Sequence, residues 1–409
     1  MTPKEAFEFA KKWGASNEIR KIVCQDSECA YLYALEIDKC PQDDTRNAAC
    51  KNPRWAFYYA KDIDKEPREN TRRIASKNPC WIYFYALKVD KKPRNDTREA
   101  VCQDPQYAYE YAKNIDKKPR EDTRKAACED SEYAFLYARD IDKEPRDDTR
   151  EAACKDPHNA CLYAEEVDKK PRDDTRKAAC NDPYHAYRYA NNIDQEPRED
   201  TRNAVQKDAF AGYSYAEEVD KKPQDNTREA ACKEPYYAFY YALNIDKKSR
   251  EDTRDAACQK SGEAYWYAKY VDKHARDDTR EAACKNSEYA FLYARDVDQC
   301  PREDTRKAAC KSPHIAYLYA LYIDKKPRKD TRKAVYNSLA WPYKYAKDVD
   351  KCSREDTREA ACKDPKYAYL YAKNVDRYLH EKTRNAVKNT EYEEKYELLL
   401  NLFSKEEIM

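Results

Sequence analysis

Apolar residues along this chain fall into two short alternating patterns that return at a fixed interval. In the stretch DTREAACKDPHNACLYAEEVDKKPRD, Asp148 to Asp173, small apolar residues cluster at Ala152, Ala153 and Cys154, and a second set follows at Ala160, Tyr163, Ala164 and Val167. Three- and four-residue spacing of this kind predicts amphipathic helices. Helix A covers TREAAC and ends near Lys155, opened by a capping box of Asp148 with Glu151 three residues on. Helix B is capped by Asp156, carries Pro157 in its first position, where the missing N–H costs nothing, and runs to about Asp168. Lys169, Lys170 and Pro171 then close the unit.

The same 26-residue unit recurs along the chain without a slip. Its threonine stands at Thr45, Thr71, Thr97 and so on to Thr383, with Ile19 in its place in the first of fifteen copies. A register that never shifts means that each copy is one supersecondary element stacked on its neighbours. The expectation is an all-α fold: a right-handed α-solenoid, or superhelix, of fifteen helix-turn-helix repeats over residues 19–390. Residues 1–18 supply an N-terminal capping helix and 391–409 a C-terminal one, the latter sealing the stack with Leu398, Leu399, Leu400, Leu402 and Phe403.

Further columns refine the unit. Ala160, Ala164 and Val167 predict a buried face of helix B that lets helix A approach closely. Aromatic flanks such as Trp55 with Phe57, Tyr107 with Tyr109, and Tyr133 with Phe135 are expected to meet those of adjacent B helices. An arginine follows the threonine position in all fifteen copies, Arg20 to Arg384, and an aspartate ends helix B in fourteen, Asp38 to Asp376. One-for-one matching favours an Arg/Asp ladder that fixes the stacking register over a row of arginines tracking phosphates. Eleven of the seventeen cysteines share one repeat position. Equivalent positions on neighbouring helices lie about 8–10 Å apart, too far for a disulfide, so the column reads as reduced thiols used for packing.

Charge and composition narrow the class. Basic and acidic residues number 79 and 78, so no global field draws in nucleic acid or an anionic membrane. No run of about 18 apolar residues occurs, and the opening MTPKEAFEFAKKW lacks a signal-peptide core. The expectation is a soluble, cytoplasmic protein. Only three glycines are present, so the turns rely on proline and aspartate.

The two-helix unit with its threaded Asp/Arg pair resembles the HEAT-like repeat proteins over about residues 19–402, in architecture rather than in a specific motif. DTR-x-A-A-C with Y-A-x-x-[VI]-D is not a HEAT consensus, and the unit is short for one. The resemblance implies a curved superhelix that holds a macromolecular partner and has no activity of its own.

Where copies differ, function is expected. Variation concentrates on the helix-B face opposite the alanines, His158, Leu162, Glu165 and Glu166 in the sixth repeat. Ten of the fourteen residues at the Leu162 position are large and apolar, which fits either a partner-binding groove or a surface covered by self-contact. The candidate binding residues are Tyr58, Phe84 with Leu87, Leu136, Arg188, Tyr240 with Leu243, Trp266 with Tyr270, and Leu318 with Tyr322. A longer period, every fifth repeat, is superimposed. Ser76, Gln206 and Tyr336 replace the cysteine, Ile82, Gly212 and Pro342 replace the first helix-B alanine, and Asn114, Asn244 and Asn374 follow in the next repeats. Triplication of a five-repeat block or five repeats per superhelical turn would each produce it, and Pro342 is expected to distort helix B locally.

The five histidines occupy unrelated places, and no HExxH, CxxC, GxSxG or glycine-rich phosphate loop occurs. Cys154, His158 and Cys161 have helical spacing, but Cys154 belongs to the packing column, so no metal or cofactor is expected. The sequence therefore points to a non-catalytic scaffold for a protein partner, with no small-molecule substrate. Binding of single-stranded RNA, with Trp266 and Tyr240 stacking on bases and Lys169 and Lys170 on phosphates, is the alternative.

Overall fold

The computed structural model describes residues 1–406, with side chains to residue 399. Its regular structure is helical, and helices A and B alternate through the repeats as an α-solenoid. The chain divides into two units, at Ala204 and Val205, each a stack of such pairs.

In the sixth repeat helix A spans Asp147–Ala153. The expected capping box does not form. The helix begins one residue early, so Asp148 sits inside its first turn, where Oδ1 accepts the N–H of Thr149 at 2.9 Å. Arg146, at the cap, makes no side-chain capping bond. Helix B supplies the cap instead: the hydroxyl of Tyr163 accepts the Arg146 N–H at 3.0 Å, donates to the Arg146 carbonyl at 3.1 Å and meets Thr149 Oγ1 at 2.8 Å. A buried tyrosine therefore satisfies the exposed end of helix A, which a short helix cannot do for itself. This fixes the tyrosine column, and Tyr59, Tyr111 and Tyr293 repeat the arrangement.

Helix B opens as the sequence predicts, with Asp156 Oδ1 accepting the N–H of Asn159 at 3.0 Å and Pro157 in the first turn. Its α-helical part ends at Leu162, and the last turn, Tyr163–Asp168, is π-helical. The wide turn is seen in the fifth repeat, where the Lys143 N–H donates to the Ala138 carbonyl five residues back at 2.8 Å. Each helix B then stops on a left-handed residue, Lys169 here at φ 53°, and a lysine, glutamine or arginine fills that place from Lys39 to Arg377. For a residue with a Cβ this backbone costs about 1–2 kcal/mol.

The ladder anchors the chain directly before that strained residue. Arg150 Nε lies 3.1 Å from both oxygens of Asp168 and Nη2 lies 2.9 Å from Oδ1, with both residues buried. In Arg124, Arg176, Arg254 and Arg306 the Nε turns instead to the next repeat, reaching Asp148, Asp200, Asp278 and Asp330 at 2.8–2.9 Å. Rungs thus run both within and between repeats. With Arg124 shared in this way, burial pushes the Asp142 carboxyl above its ordinary value.

Ala160 and Ala164 are fully buried and Val167 is half-buried. All seventeen cysteines are free, and those of the column are half-buried. Burial pushes their thiols up, to about 11 at Cys50 and about 12 at Cys102, Cys128 and Cys154. At the long-period position, a Cβ on Gly212 would lie 2.4 Å from Ala230 Cβ and 3.2 Å from the Thr227 carbonyl oxygen, so glycine is required by the close approach of the next helix A. Pro342 does not distort helix B as expected. That helix begins late, at Trp341, which leaves the proline in its first turn, where no N–H is needed.

The ends are closed by different means. Pro3–Trp13 forms a helix capped by Thr2 and Glu5, and Phe7 and Ala10 bury against Ile19, Val23 and Tyr33. At the other end Glu393–Glu406 acts as a further helix B: Tyr396 meets Thr383 Oγ1 at 2.6 Å and is buried with Leu399. Leu398 does not help to seal the stack, because it is turned outward and 61% exposed. The side chains of Leu400, Leu402 and Phe403 lie outside the described residues.

Candidate functional site

Neighbouring B helices meet through a ring column that begins Tyr31, Phe57, Tyr83, Tyr109. Each of these rings is met by a ring from the first turn of the next helix B: Tyr31 by Trp55 at 5.2 Å between centroids, Phe57 by Trp81 at 5.8 Å, Tyr83 by Tyr107 at 5.8 Å and Tyr109 by Tyr133 at 6.0 Å. A polar contact reaches further along that neighbouring helix. Tyr31, Tyr109 and Tyr317 donate to Asp62, Asp140 and Asp348 at 3.0, 2.6 and 2.8 Å. Asn114, Asn244 and Asn374 donate to Tyr83, Tyr213 and Tyr343 at 2.9, 2.9 and 2.8 Å. The five-repeat asparagines are therefore hydrogen-bond partners of the irregular repeats that precede them.

Where the column holds phenylalanine that hydroxyl is missing, and two of these rings are covered by an arginine of the same helix. Arg139 lies 5.0 Å from the centroid of Phe135 and donates to Asp140 at 2.7 Å, while Arg295 lies 5.5 Å from Phe291 and donates to Asp296 at 2.6 Å. Phe239, in the ninth repeat, differs. Leu243 stands where the arginine would be, and the tenth repeat places Glu263 where others place a stacking ring.

The missing ring leaves a cleft of about 430 Å³ between helices B of the ninth and tenth repeats, lined by Tyr236, Phe239, Tyr240, Leu243, Glu263, Trp266 and Tyr270. Trp266 and Tyr270 stack 5.5 Å apart at 14°, and both are exposed, as is Tyr236. Tyr236 and Tyr240 lie 4.6 Å apart. Lys269 is engaged by Asp296, to which it donates at 2.8 Å, and by the Tyr265 hydroxyl at 3.0 Å.

Four of the sequence candidates, Tyr240, Leu243, Trp266 and Tyr270, come together here. The others are spread along the array. Tyr58, Phe84 and Leu87 are half-buried against the core cluster that contains Phe57, Ile82, Tyr83 and Val101, Leu136 against the one that contains Tyr109, Tyr137 and Ile141, and Leu318 against the one that contains Phe291, Ile315 and Tyr319. Arg188 donates to Glu165 at 3.0 Å, and Tyr322 is exposed. Sequence reasoning missed Tyr236, Phe239 and Glu263. Glu263 could have been found as the acidic residue in a column otherwise rich in tyrosine and tryptophan.

His158 lies 5.3 Å from His185, and Cys161 contacts the His185 carbonyl at 3.5 Å. Among the described residues no group of three or more histidine, cysteine, aspartate or glutamate side chains is placed to hold a metal ion, and no helix is long and apolar enough to cross a membrane. Compared with protein-family models, curated proteins and solved structures, the chain matches none.

Proposed function

We propose that the chain is a non-catalytic, HEAT-like repeat scaffold of the cytoplasm that binds a protein partner along the outer face of helix B, anchored in the cleft of the ninth and tenth repeats. The observation that carries this reading is the cleft itself: three exposed aromatic side chains, Tyr236, Trp266 and Tyr270, converge with a half-buried tyrosine and leucine on one concavity. Aromatic anchors in a pocket are the usual centre of a protein interface. A half-buried column of protonated thiols supports a reducing compartment. Against RNA stands the electrostatics. The repeat arginines are taken up by aspartates, and Lys269, beside the aromatic rings, is held by Asp296.

The test is affinity capture from host extract with the wild-type chain and with Trp266→Ala/Tyr270→Ala, with and without nuclease. The expected result is a protein enriched by the wild type, insensitive to nuclease and lost with the double variant. Capture that disappears with nuclease would establish the RNA reading instead. Because both side chains are exposed, the variant is expected to keep the wild-type melting temperature to within about 2 °C.

A further inference from the structure

The cleft has the ring of its counterparts elsewhere in the chain but not their arginine. Asn244 holds the place of their aspartate, the carboxylate comes instead from Glu263 on the next helix B, and Lys269, 5.7 and 5.5 Å from the Trp266 and Tyr270 rings, is held by Asp296. Over Phe135 and Phe291 an arginine from the same helix lies against the ring and donates to a carboxylate, Asp140 or Asp296. Over Phe239 the place of that arginine is held by Leu243, and the space opens to solvent beside the Glu263 carboxylate.

We propose that the cleft takes an arginine side chain of the protein partner, its guanidinium flat against the aromatic wall and forked onto Glu263. The inference rests on the protein-binding reading and specifies its chemistry. A guanidinium is planar and weakly hydrated, so it stacks on aromatic faces and can bind a carboxylate through two parallel N–H bonds. An ammonium offers a point charge without the plane. The slot is also one that neighbouring repeats fill with a flat ring, such as Trp81 on Phe57 or Tyr289 on Tyr265. A second precedent lies in the second repeat, where Arg54 spreads over Trp55 and Tyr58 at 4.8 and 5.8 Å. The flexible chain of an arginine entering from a partner would reproduce the ring-and-carboxylate arrangement that this protein builds for itself twice, at Arg139 and Arg295.

The test uses the full chain and N-acetyl-arginine amide as probe, reading tryptophan fluorescence as the difference between wild type and Trp266→Phe. The expected result is a saturable change with half-saturation on the order of 1 mM, as suits so small a ligand. N-acetyl-citrulline amide, neutral and nearly isosteric, is expected to bind at least tenfold more weakly, and Glu263→Gln to weaken the arginine probe by a similar factor. The lysine and trimethyl-lysine analogues are the competing arms. Either of them binding more tightly than arginine would overturn the guanidinium assignment, as would equal binding of citrulline or no saturable signal. Glu263→Gln that still captures the partner while Trp266→Ala/Tyr270→Ala loses it would sink the arginine proposal and leave the scaffold reading intact. Capture that survives the aromatic double variant would remove the scaffold reading at this surface.

Discussion

The hydroxyls of Thr45 and Tyr59 lie 2.9 Å apart in the buried seam between helices A and B, and Tyr59 also accepts the N–H of Gln42 at 3.0 Å. In the first repeat Ile19 replaces the threonine, Ser16 caps helix A through the Ile19 N–H at 3.2 Å, and the buried Tyr33 hydroxyl has no partner. The two tyrosines should therefore respond in opposite ways to loss of the oxygen. Tyr59→Phe strands the Gln42 N–H and is expected to cost about 1–3 kcal/mol. Tyr33→Phe removes an unpaired polar atom and is expected to be neutral or stabilising. Urea denaturation, with hydrogen exchange to localise the change, compares them directly. Equal losses would mean that the hydroxyl is not what the seam requires.

Gly212→Ala is expected to destabilise the array by about 1–3 kcal/mol, because the new methyl would collide with Ala230 Cβ at 2.4 Å. Ala230→Gly on the same chain should recover part of that loss. A double-mutant cycle measures the coupling, and simple additivity would contradict the close approach.

Stability is expected to fall in mild alkali. The column thiols titrate at about 11–12 in the folded chain, as at Cys102, Cys128 and Cys154, against roughly 8.5 when unfolded. With the folded value raised, their contribution is complete below about pH 8.5 and is lost as pH rises toward the folded value. The urea midpoint should start to drop above about pH 8.5, before the lysine range near 10.4 is reached. Replacing Cys102, Cys128 and Cys154 together by alanine should flatten that slope.

Asp140 carries the opposite dependence. Burial opposes its charge, but hydrogen bonds from Arg139, Lys113 and Tyr109 hold the carboxyl well below the usual carboxylate range. Its contribution is complete above about pH 4, the unfolded value, and is lost as pH falls further. Asp140→Asn is expected to cost about 1 kcal/mol at pH 7 and progressively less between pH 4 and 2, read as converging urea midpoints of the two proteins.

The sequence carried the features whose cause lies inside one repeat. Pro157 and Asp156 marked the start of helix B, the alanines marked its buried face, and the matched Arg150 and Asp168 implied their pair. It misled at Asp148 and Glu151, where a local capping signal is displaced by Tyr163, a residue of the other helix that meets Thr149. The left-handed Lys169 had no glycine to announce it, because the backbone there is held by packing and by the adjacent ladder rung rather than by residue type. The candidate site was half legible. Tyr240 and Trp266 stood out as variable aromatics, but the cleft depends on Phe239 and Glu263 lining it from two helices. Such a juxtaposition appears in sequence only when the ring column of one repeat is read against the first helix-B turn of the next.

The tyrosine seal of helix A lies wholly within a repeat, since the threonine, its hydroxyl partner and the capped amide all fall between Gln42 and Tyr59. A single repeat can therefore be gained or lost without opening any other seal. The ring contacts obey a stricter rule, because they join one repeat to the next: a tyrosine such as Tyr109 must find an acceptor such as Asp140 in whichever repeat follows it. Gain or loss of a single repeat thus leaves the seals intact but disturbs a dominoes-like matching of faces at its seams, whereas exchange of five-repeat blocks cut after the third, eighth and thirteenth repeats meets the same tyrosine–asparagine match at each seam.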